Sequence, residues 1–528
     1  MLLALVLFVV GAAAHLPWRA HVPTEWDSVQ LVLGVGSFDV TQATPHAPGY
    51  WLYIAAGRLV QALTPLGAHD SLVLCSAVAA GAAVALAWVL GRDMAGPWLG
   101  GAAAAVLLTS PFLLFYGSAV GTYAFDAVAV EVLLLLAWRA RPRSWHGPAA
   151  AAALGLAGGF RQSSLLLLAP VAGVALGRSV RTVGGAARTA AAGVAGLAVW
   201  LVPMALEQPG GLGEVQRAGA RIWREAVTVT SPLYGAPAQG VRANLGQATG
   251  YTLAAVALLL PALAAALALR TLPRFRVDSP PKRGAISSKR RVGGPGLLTV
   301  AAGPPMAFVL LFHFGKAGYV LSYLPALVVL ALWPAAGLAR RPRLVVSALV
   351  AVACVVQVQR FAGAPGVLPL AVTDRGGPWF TESRFGAPYR LTADAIDEVD
   401  ADTERYLALG RAFRPGLDVL VYVHLDGGHR FRHAMLTLPN FTAHYLQAGL
   451  DEYVGRGSRW RRERDLKVEL PPGGRAVFVV DEPRELLGMV ASGRARAQVL
   501  DTGPTVYVAG PGPRAFGVEL VEDARPAP

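Results

Sequence analysis

The chain has 528 residues, 54% of them hydrophobic and only 15% charged, with a formal net charge of +14. A mean hydropathy of +0.47 excludes an ordinary soluble domain, in which about a quarter of residues are charged. The positive balance would suit nucleic acid, but the basic residues fall in short loops between apolar runs, where they set membrane orientation. Cys75 and Cys354 both lie within apolar runs, which excludes a disulfide framework and a cysteine-built zinc site.

Met1 to Ala14 is apolar and ends in Ala12-Ala13-Ala14, like a signal peptide. It lacks a basic leading region and further spans follow, so a retained first transmembrane helix is expected. Runs of roughly 18 apolar residues, enough to cross about 30 Å of hydrocarbon, recur along the chain. Periodicity and length place about eleven spans, at roughly 1–16, 69–91, 97–116, 119–138, 147–160, 163–177, 189–206, 249–270, 296–313, 318–338 and 343–359. The segments 147–160 and 163–177 are short, and read either as one re-entrant hairpin or as two thin spans.

The basic residues test this order. Arg92; Arg139, Arg141 and Arg143; Arg178, Arg181 and Arg188; and Arg340, Arg341 and Arg343 all fall in alternate loops. So does the run Arg270, Arg274, Arg276, Lys282, Arg283, Lys289, Arg290 and Arg291. The positive-inside rule makes that side, and the N-terminus with it, cytoplasmic. The loops 17–68, 207–248 and 314–317 and everything after residue 360 are then extracytoplasmic.

Loop 17–68 carries Glu25 and Asp27, the first two acidic residues, followed by Asp39 and Pro45-His46-Ala47-Pro48-Gly49-Tyr50. Gly49 to Leu63 sets Tyr50, Tyr53, Ile54 and Leu63 along one side of a helix suited to the membrane interface. Loop 207–248, with Glu214, Arg217, Arg221, Trp223, Arg224 and Glu225, predicts a second interfacial helix before a turn. Beyond residue 360 charges become frequent, and Leu417 to Val423 and Arg475 to Val480 read as short strands. The expected architecture is a mainly α, polytopic membrane domain over 1–360 and a small extracytoplasmic α/β domain over 361–528, with a disordered tail from Asp523.

Trp26-Asp27-Ser28 and His46-Ala47-Pro48-Gly49-Tyr50, supported by Gly159-Phe160-Arg161-Gln162 and by Gly318-Tyr319-Val320-Leu321-Ser322-Tyr323-Leu324-Pro325, resemble the GT-C glycosyltransferases. The nearest likeness is to bacterial membrane proteins related to protein O-mannosyltransferases, with Ala47 standing where that pattern has proline. The resemblance covers the membrane part. It implies a GT-C-like fold in a bacterial inner membrane. It also implies transfer of mannose or another hexose, with inversion, from a polyprenyl phosphate to a protein or glycan acceptor outside the cytoplasm.

That chemistry needs a carboxylate to deprotonate the acceptor hydroxyl and cations to stabilise the departing phosphate. Asp27 is the expected base, with Glu25 second and Asp39 a third acidic group lining the site; the bland alternative is that they face water or cap a helix. Arg161 and Lys316 are the expected phosphate ligands, though both side chains also suit snorkelling to lipid phosphate in general. His46 fits a phosphate contact or a cap for the helix that Pro48 begins. Tyr50 and Tyr319 are expected to line the site, and His313 is a weaker candidate.

No essential cofactor or metal is expected. Convergence of Asp27, His46 and Asp39 would leave room for a divalent ion, but their spacing is not that of a dedicated site. No Walker motif is present, so a nucleotide-sugar donor is disfavoured. His424, Asp426, His429 and His433 cluster after a strand and read as a solvated loop rather than a metal centre. The rival function is a transporter or flippase of lipid-linked saccharide, which would place charges near the bilayer midplane, often in repeated halves; this chain keeps most acidic groups out of its spans, with Asp126 and Glu131 in span 119–138 as exceptions, and shows no repeat.

Overall fold

Runs of Ala, Leu and Gly become helices in an apolar medium because the backbone there must satisfy its hydrogen bonds internally. The computed structural model describes residues 1–272, 293–313, 316–363, 391–424, 433–434, 436–447, 452–455, 460–462, 466–480, 483–501 and 505–522. The basic residues from Arg274 to Arg291, Asp426, His429 and the tail from Asp523 lie outside them.

The first helices are α1 (Leu2–Ala13), α2 (Trp26–Gly36), α3 (Trp51–Leu63), α4 (Ala68–Ala95), α5 (Pro97–Thr109) and α6 (Pro111–Ser118). Then come α7 (Tyr123–Arg139), α8 (His146–Phe160), α9 (Ser163–Leu167), α10 (Ala169–Ser179), α11 (Val183–Glu207) and α12 (Gly211–Thr230). After these follow α13 (Ala238–Val256), α14 (Leu260–Thr271), α15 (Gly294–Leu311), α16 (Leu324–Ala336) and α17 (Arg340–Phe361).

Among the described residues, five helical stretches are long and apolar enough to cross a membrane: α4, α11, Ala238–Thr271, α15 and α17. Counting α5 and α6, which meet at a 57° bend, as one broken span makes six. The remaining apolar runs form shorter helices, and proline sets several of their ends. Pro111 opens α6, Pro170 opens α10 and Pro325 opens α16, each where a missing N–H costs least. The stretch 147–177 is thus neither one smooth hairpin nor two simple spans. It is α8 and α10 joined through the short α9, with the chain broken at Arg161 and Gln162.

Small residues let the helices approach closely, as expected where hydrophobicity alone cannot drive helix association. A Cβ on Gly81 of α4 would lie 2.5 Å from the Phe8 carbonyl oxygen of α1, and one on Gly196 of α11 would lie 2.4 Å from the Ala152 carbonyl oxygen of α8. The expected interfacial helix is α3, but Tyr53 does not sit at headgroup level. It is fully buried. Its hydroxyl meets the Leu72 carbonyl at 2.9 Å and Ser76 Oγ at 2.8 Å, so its polar end is satisfied by α4 instead of by water.

The chain divides into two compact units. The first holds Met1–Ala20 and the chain from Ala47 through the apolar helices; the second holds His21–His46 together with Ile396–Pro528. Segment 21–46 of the first outer loop, which the sequence boundary at residue 360 assigned to the membrane domain, therefore groups with the C-terminal residues.

In the second unit, α18 (Ala393–Ala412) precedes a sheet built from β1 (Asp418–His424), β2 (Ala443–Gln447), β3 (Glu452–Gly455), β4 (Trp460–Arg462), β6 (Arg475–Val480), β7 (Arg496–Val499) and β8 (Thr505–Ala509). A smaller sheet holds β5 (Leu466–Leu470), β9 (Arg514–Ala515) and β10 (Val518–Glu522). The larger sheet runs β4-β3-β2-β1-β6-β8-β7, with β1 parallel to both β2 and β6. Both strands foreseen from the sequence are therefore central, and they run parallel to each other. That explains their unbroken apolar character, since such strands are covered on both faces. Leu420 and Tyr422 pack with Leu409 and Phe413 on one face, while Val419, Val421 and Val423 pack with Leu486 and Met489 of α19 (Arg484–Ala491) on the other.

His444 of β2, outside the membrane helices, is held to a pKa of about 4 by burial, against an ordinary 6.5. A lowered folded value means the unfolded chain binds the proton more readily, so stability is intact above 6.5 and is lost as the pH falls toward 4. Thermal unfolding of the full chain should begin at lower temperature as pH drops through that window. The same scan on His444→Gln should show a weaker dependence.

Candidate functional site

The sequence-predicted residues gather into two groups, one in each unit. In the unit that holds segment 21–46, Glu25 occupies the N-cap position of α2 without a capping side-chain bond, and Asp27 lies in its first turn. Glu25, Ser28, Val29, Gln30 and Leu31 are buried, whereas the Asp27 side chain keeps 30% of its surface exposed. Asp27 is thus the more exposed carboxylate of this pair.

Beyond α2 the chain turns back. Asp39 Oδ1 accepts from Thr41 N at 2.8 Å and Thr41 Oγ1 at 2.7 Å, and the backbones of Asp39 and Thr44 bond in both directions. These bonds give Asp39 the part of an Asx-turn residue. The returning strand runs close to α2, since a Cβ on Gly34 would stand 2.8 Å from Pro45 Cδ. His46 arrives beside Asp27 as a result. His46 Nδ1 lies 3.8 Å from Asp27 Oδ1, an ion-pair distance that a small side-chain movement would convert to a hydrogen bond.

The second group sits in the helical unit. Arg161, at the C-cap of α8, is buried, and its Nε lies 3.0 Å from Asp126 Oδ2 of α7. Its Nη2 donates to Thr122 Oγ1 at 3.1 Å, and Ser164 Oγ donates to the other Asp126 oxygen at 3.2 Å. Aromatic faces enclose the guanidinium, whose carbon is 4.2 Å from the Tyr123 ring centre, 4.7 Å from Tyr319 and 6.0 Å from Tyr50. Such faces attract a cation most where water is absent.

Tyr319 belongs to a 3₁₀ turn, Ala317–Ser322, that starts from the buried Lys316. The turn packs on α7 at Gly318, where a Cβ would fall 2.3 Å from the Tyr123 ring; only glycine permits that approach. Next to Arg161, Gln162 Nε2 donates to the Pro48 carbonyl at 3.1 Å, tying the break after α8 to the turn before α3. Tyr50 begins α3 with φ of 47°, a left-handed conformation that aims its ring back toward Arg161.

The structure thus brings Arg161, Tyr50 and Tyr319 together and, separately, Asp27 and His46. Sequence reasoning missed Thr122, Tyr123 and Asp126 as partners of Arg161, and Ser164 as a partner of Asp126. The signal was present, because an acidic residue inside an apolar span implies a nearby cation. Glu131, five residues along the same helix, is fully buried with neither carboxylate oxygen bonded among the described residues. A shallow apolar groove lined by Trp98, Ser347, Val350 and Cys354, between α5 and α17, contains none of the predicted residues. Among the described residues, no three His, Cys, Asp or Glu side chains converge as metal ligands.

No family model and no curated protein matches the sequence. Two solved structures do match in fold. ArnT from Cupriavidus metallidurans bound to undecaprenyl phosphate aligns over 97% of this chain and 99% of that chain, with a TM-score of 0.56 and 13% identity. ArnT from the same organism in the apo state aligns over 96% and 99%, with a TM-score of 0.53 and 13% identity. The chain is a polytopic, mainly helical protein with this GT-C-like fold and a small C-terminal region of strands.

Removing one member of the Arg161–Asp126 pair should cost far more than removing both. A lone buried charge is typically worth about 3–5 kcal/mol of destabilisation, whereas an apolar pair of similar volume is nearly neutral. Denaturant unfolding of Asp126→Leu, Arg161→Met and the double variant is expected to give a double-variant loss well below the sum of the single losses.

Proposed function

We propose that this protein is a membrane glycosyltransferase that moves mannose or another hexose from a polyprenyl phosphate to a protein or glycan acceptor outside the cytoplasm. The observation that carries this reading is the buried, tyrosine-enclosed Arg161 at a break between helices. Among the described residues, Asp126 and Thr122 engage two of the five N–H donors of this guanidinium, which leaves Nη1 for an anionic oxygen. Lys316, at the head of the turn that carries Tyr319, is the second proposed phosphate ligand. The fold-level neighbour crystallised with undecaprenyl phosphate supports a donor of this class.

In this mechanism the acceptor hydroxyl oxygen attacks the anomeric carbon from the face opposite the phosphate. The bond from that carbon to the phosphate oxygen breaks, and polyprenyl phosphate leaves with the negative charge on Arg161 and Lys316. The hydroxyl proton passes to Asp27, and the sugar inverts. His46 stands next in line for that proton, given its place beside Asp27. Glu25, buried at the start of α2, supports the turn that presents Asp27.

A carrier of lipid-linked saccharide is the second reading, favoured by Asp126, Arg161 and Glu131 lying among apolar helices. Replacement of the proposed base separates the two. Asp27→Asn should lower kcat for sugar transfer by about 10²–10⁴-fold with donor KM nearly unchanged. Equal transfer by parent and variant would end the base assignment, and no transfer by the parent with saccharide exchange across vesicles intact would favour the carrier.

The proposed topology, N-terminus inside and C-terminal unit outside, rests on the alternation of the basic loops. Val499 is exposed on β7. A Val499→Cys variant should react with a membrane-impermeant maleimide in intact cells, and protection until lysis would reverse the orientation.

A further inference from the structure

His433 follows β1 in the second unit, yet its bonding partner comes from near the start of the chain. Its Nε2 donates to the carbonyl oxygen of Pro23 at 2.5 Å, across 410 residues of sequence. Both residues are buried, so this carbonyl needs a protein donor and His433 supplies it. The ring is held in place: Tyr406 of α18 lies parallel to it, with 6.4 Å between centres and 15° between planes. Tyr406 in turn contacts Tyr422 of β1 at 6.5 Å. Ala434, the next residue, belongs to the same buried cluster as Tyr406, Leu409, Tyr422 and Phe441. The donor is therefore fixed to the core of the C-terminal domain.

The acceptor is fixed to the proposed site. Pro23 stands two residues before Glu25 at the N-cap of α2 and four before Asp27 in its first turn. Thr24, Glu25 and Ser28 are buried alongside. Proline holds its own φ near −65°, so anchoring its carbonyl fixes the direction in which the chain enters α2.

We propose that His433 is a positioning residue for Asp27, and that the C-terminal domain sets the placement of the base through the His433–Pro23 bond. This rests on Asp27 acting as the base. It gives the strand-rich domain a task in catalysis without requiring it to touch substrate. A displacement of about 1 Å at a reacting group costs up to about 10²-fold in rate, so one misplaced turn is enough to matter.

The test uses the full-length protein in lipid nanodiscs and two variants. His433→Phe keeps a ring against Tyr406 and removes the donor; His433→Gln restores an amide donor without the ring. The first readout is amide hydrogen exchange over residues 24–33, which needs no activity. His433→Phe should exchange there at least about tenfold faster than the parent, with α18 and β1 unchanged, and His433→Gln should fall back toward the parent. The second readout is transfer from a polyprenyl-phosphate sugar: kcat should fall about 10- to 100-fold in His433→Phe, with donor KM within about twofold, and recover in His433→Gln.

Parent-like exchange over 24–33 in His433→Phe overturns the proposal, as does faster exchange with parent-like kcat. If His433→Phe does not fold, failure of the folded His433→Gln to match the parent in both readouts overturns it. Asp27→Asn is run alongside. Its full activity would remove the base assignment on which the kinetic arm rests, while the exchange arm would still report whether His433 holds the turn.

Discussion

A guanidinium among apolar helices is stable only if its charge is answered nearby, and the Arg161–Asp126 contact does this. Much of the local architecture follows from that requirement. The chain must break after α8 so that Arg161 can turn toward α7 instead of continuing along its own helix. Thr122 and Ser164 then satisfy the outer donors and acceptors of the pair. Tyr123 and Tyr319 close over the guanidinium, which requires Gly318 to let the 3₁₀ turn reach α7. An apolar bundle would pack without any of these polar residues. Their presence is not explained by stability alone, since buried ion pairs seldom stabilise a fold more than well-packed hydrophobic residues do.

The sequence revealed the elements whose cause is local. Apolar runs marked the membrane helices, and the two central strands were visible because strands covered on both faces carry no polar alternation. Run length alone could not tell α8, α9 and α10 from a smooth hairpin. Tyr53 was misjudged for a similar reason. Its spacing suited an amphipathic interface helix, but the acceptors that bury its hydroxyl lie on α4 and are set by tertiary packing. Asp126 was noticed as an intramembrane acid without being joined to Arg161, because residues separated by 35 positions share no local pattern.

Grouping of the Asp27 segment with C-terminal residues was invisible in the sequence. A hydrophobic plot assigns loop 17–68 to the membrane domain by proximity, and nothing at Pro23 announces a partner such as His433.

Three constraints of different kinds act on the turn that presents Asp27. Asp39 bonds its own backbone and folds the chain into a return, which is a local effect of side-chain type. Gly34 lets Pro45 pass close to α2, which is steric and intermediate in range. His433 anchors the entry to α2 from the far end of the sequence. The first two bring His46 beside Asp27, and the third fixes where that pair stands on the domain. Substitutions at Asp39 or Gly34 should therefore separate His46 from Asp27 while leaving α2 anchored. Loss of the His433 donor should instead move Asp27 and His46 together. The distinction follows from which covalent segment each contact spans, and it makes the Asp27–His46 distance and the mobility of α2 independent observables.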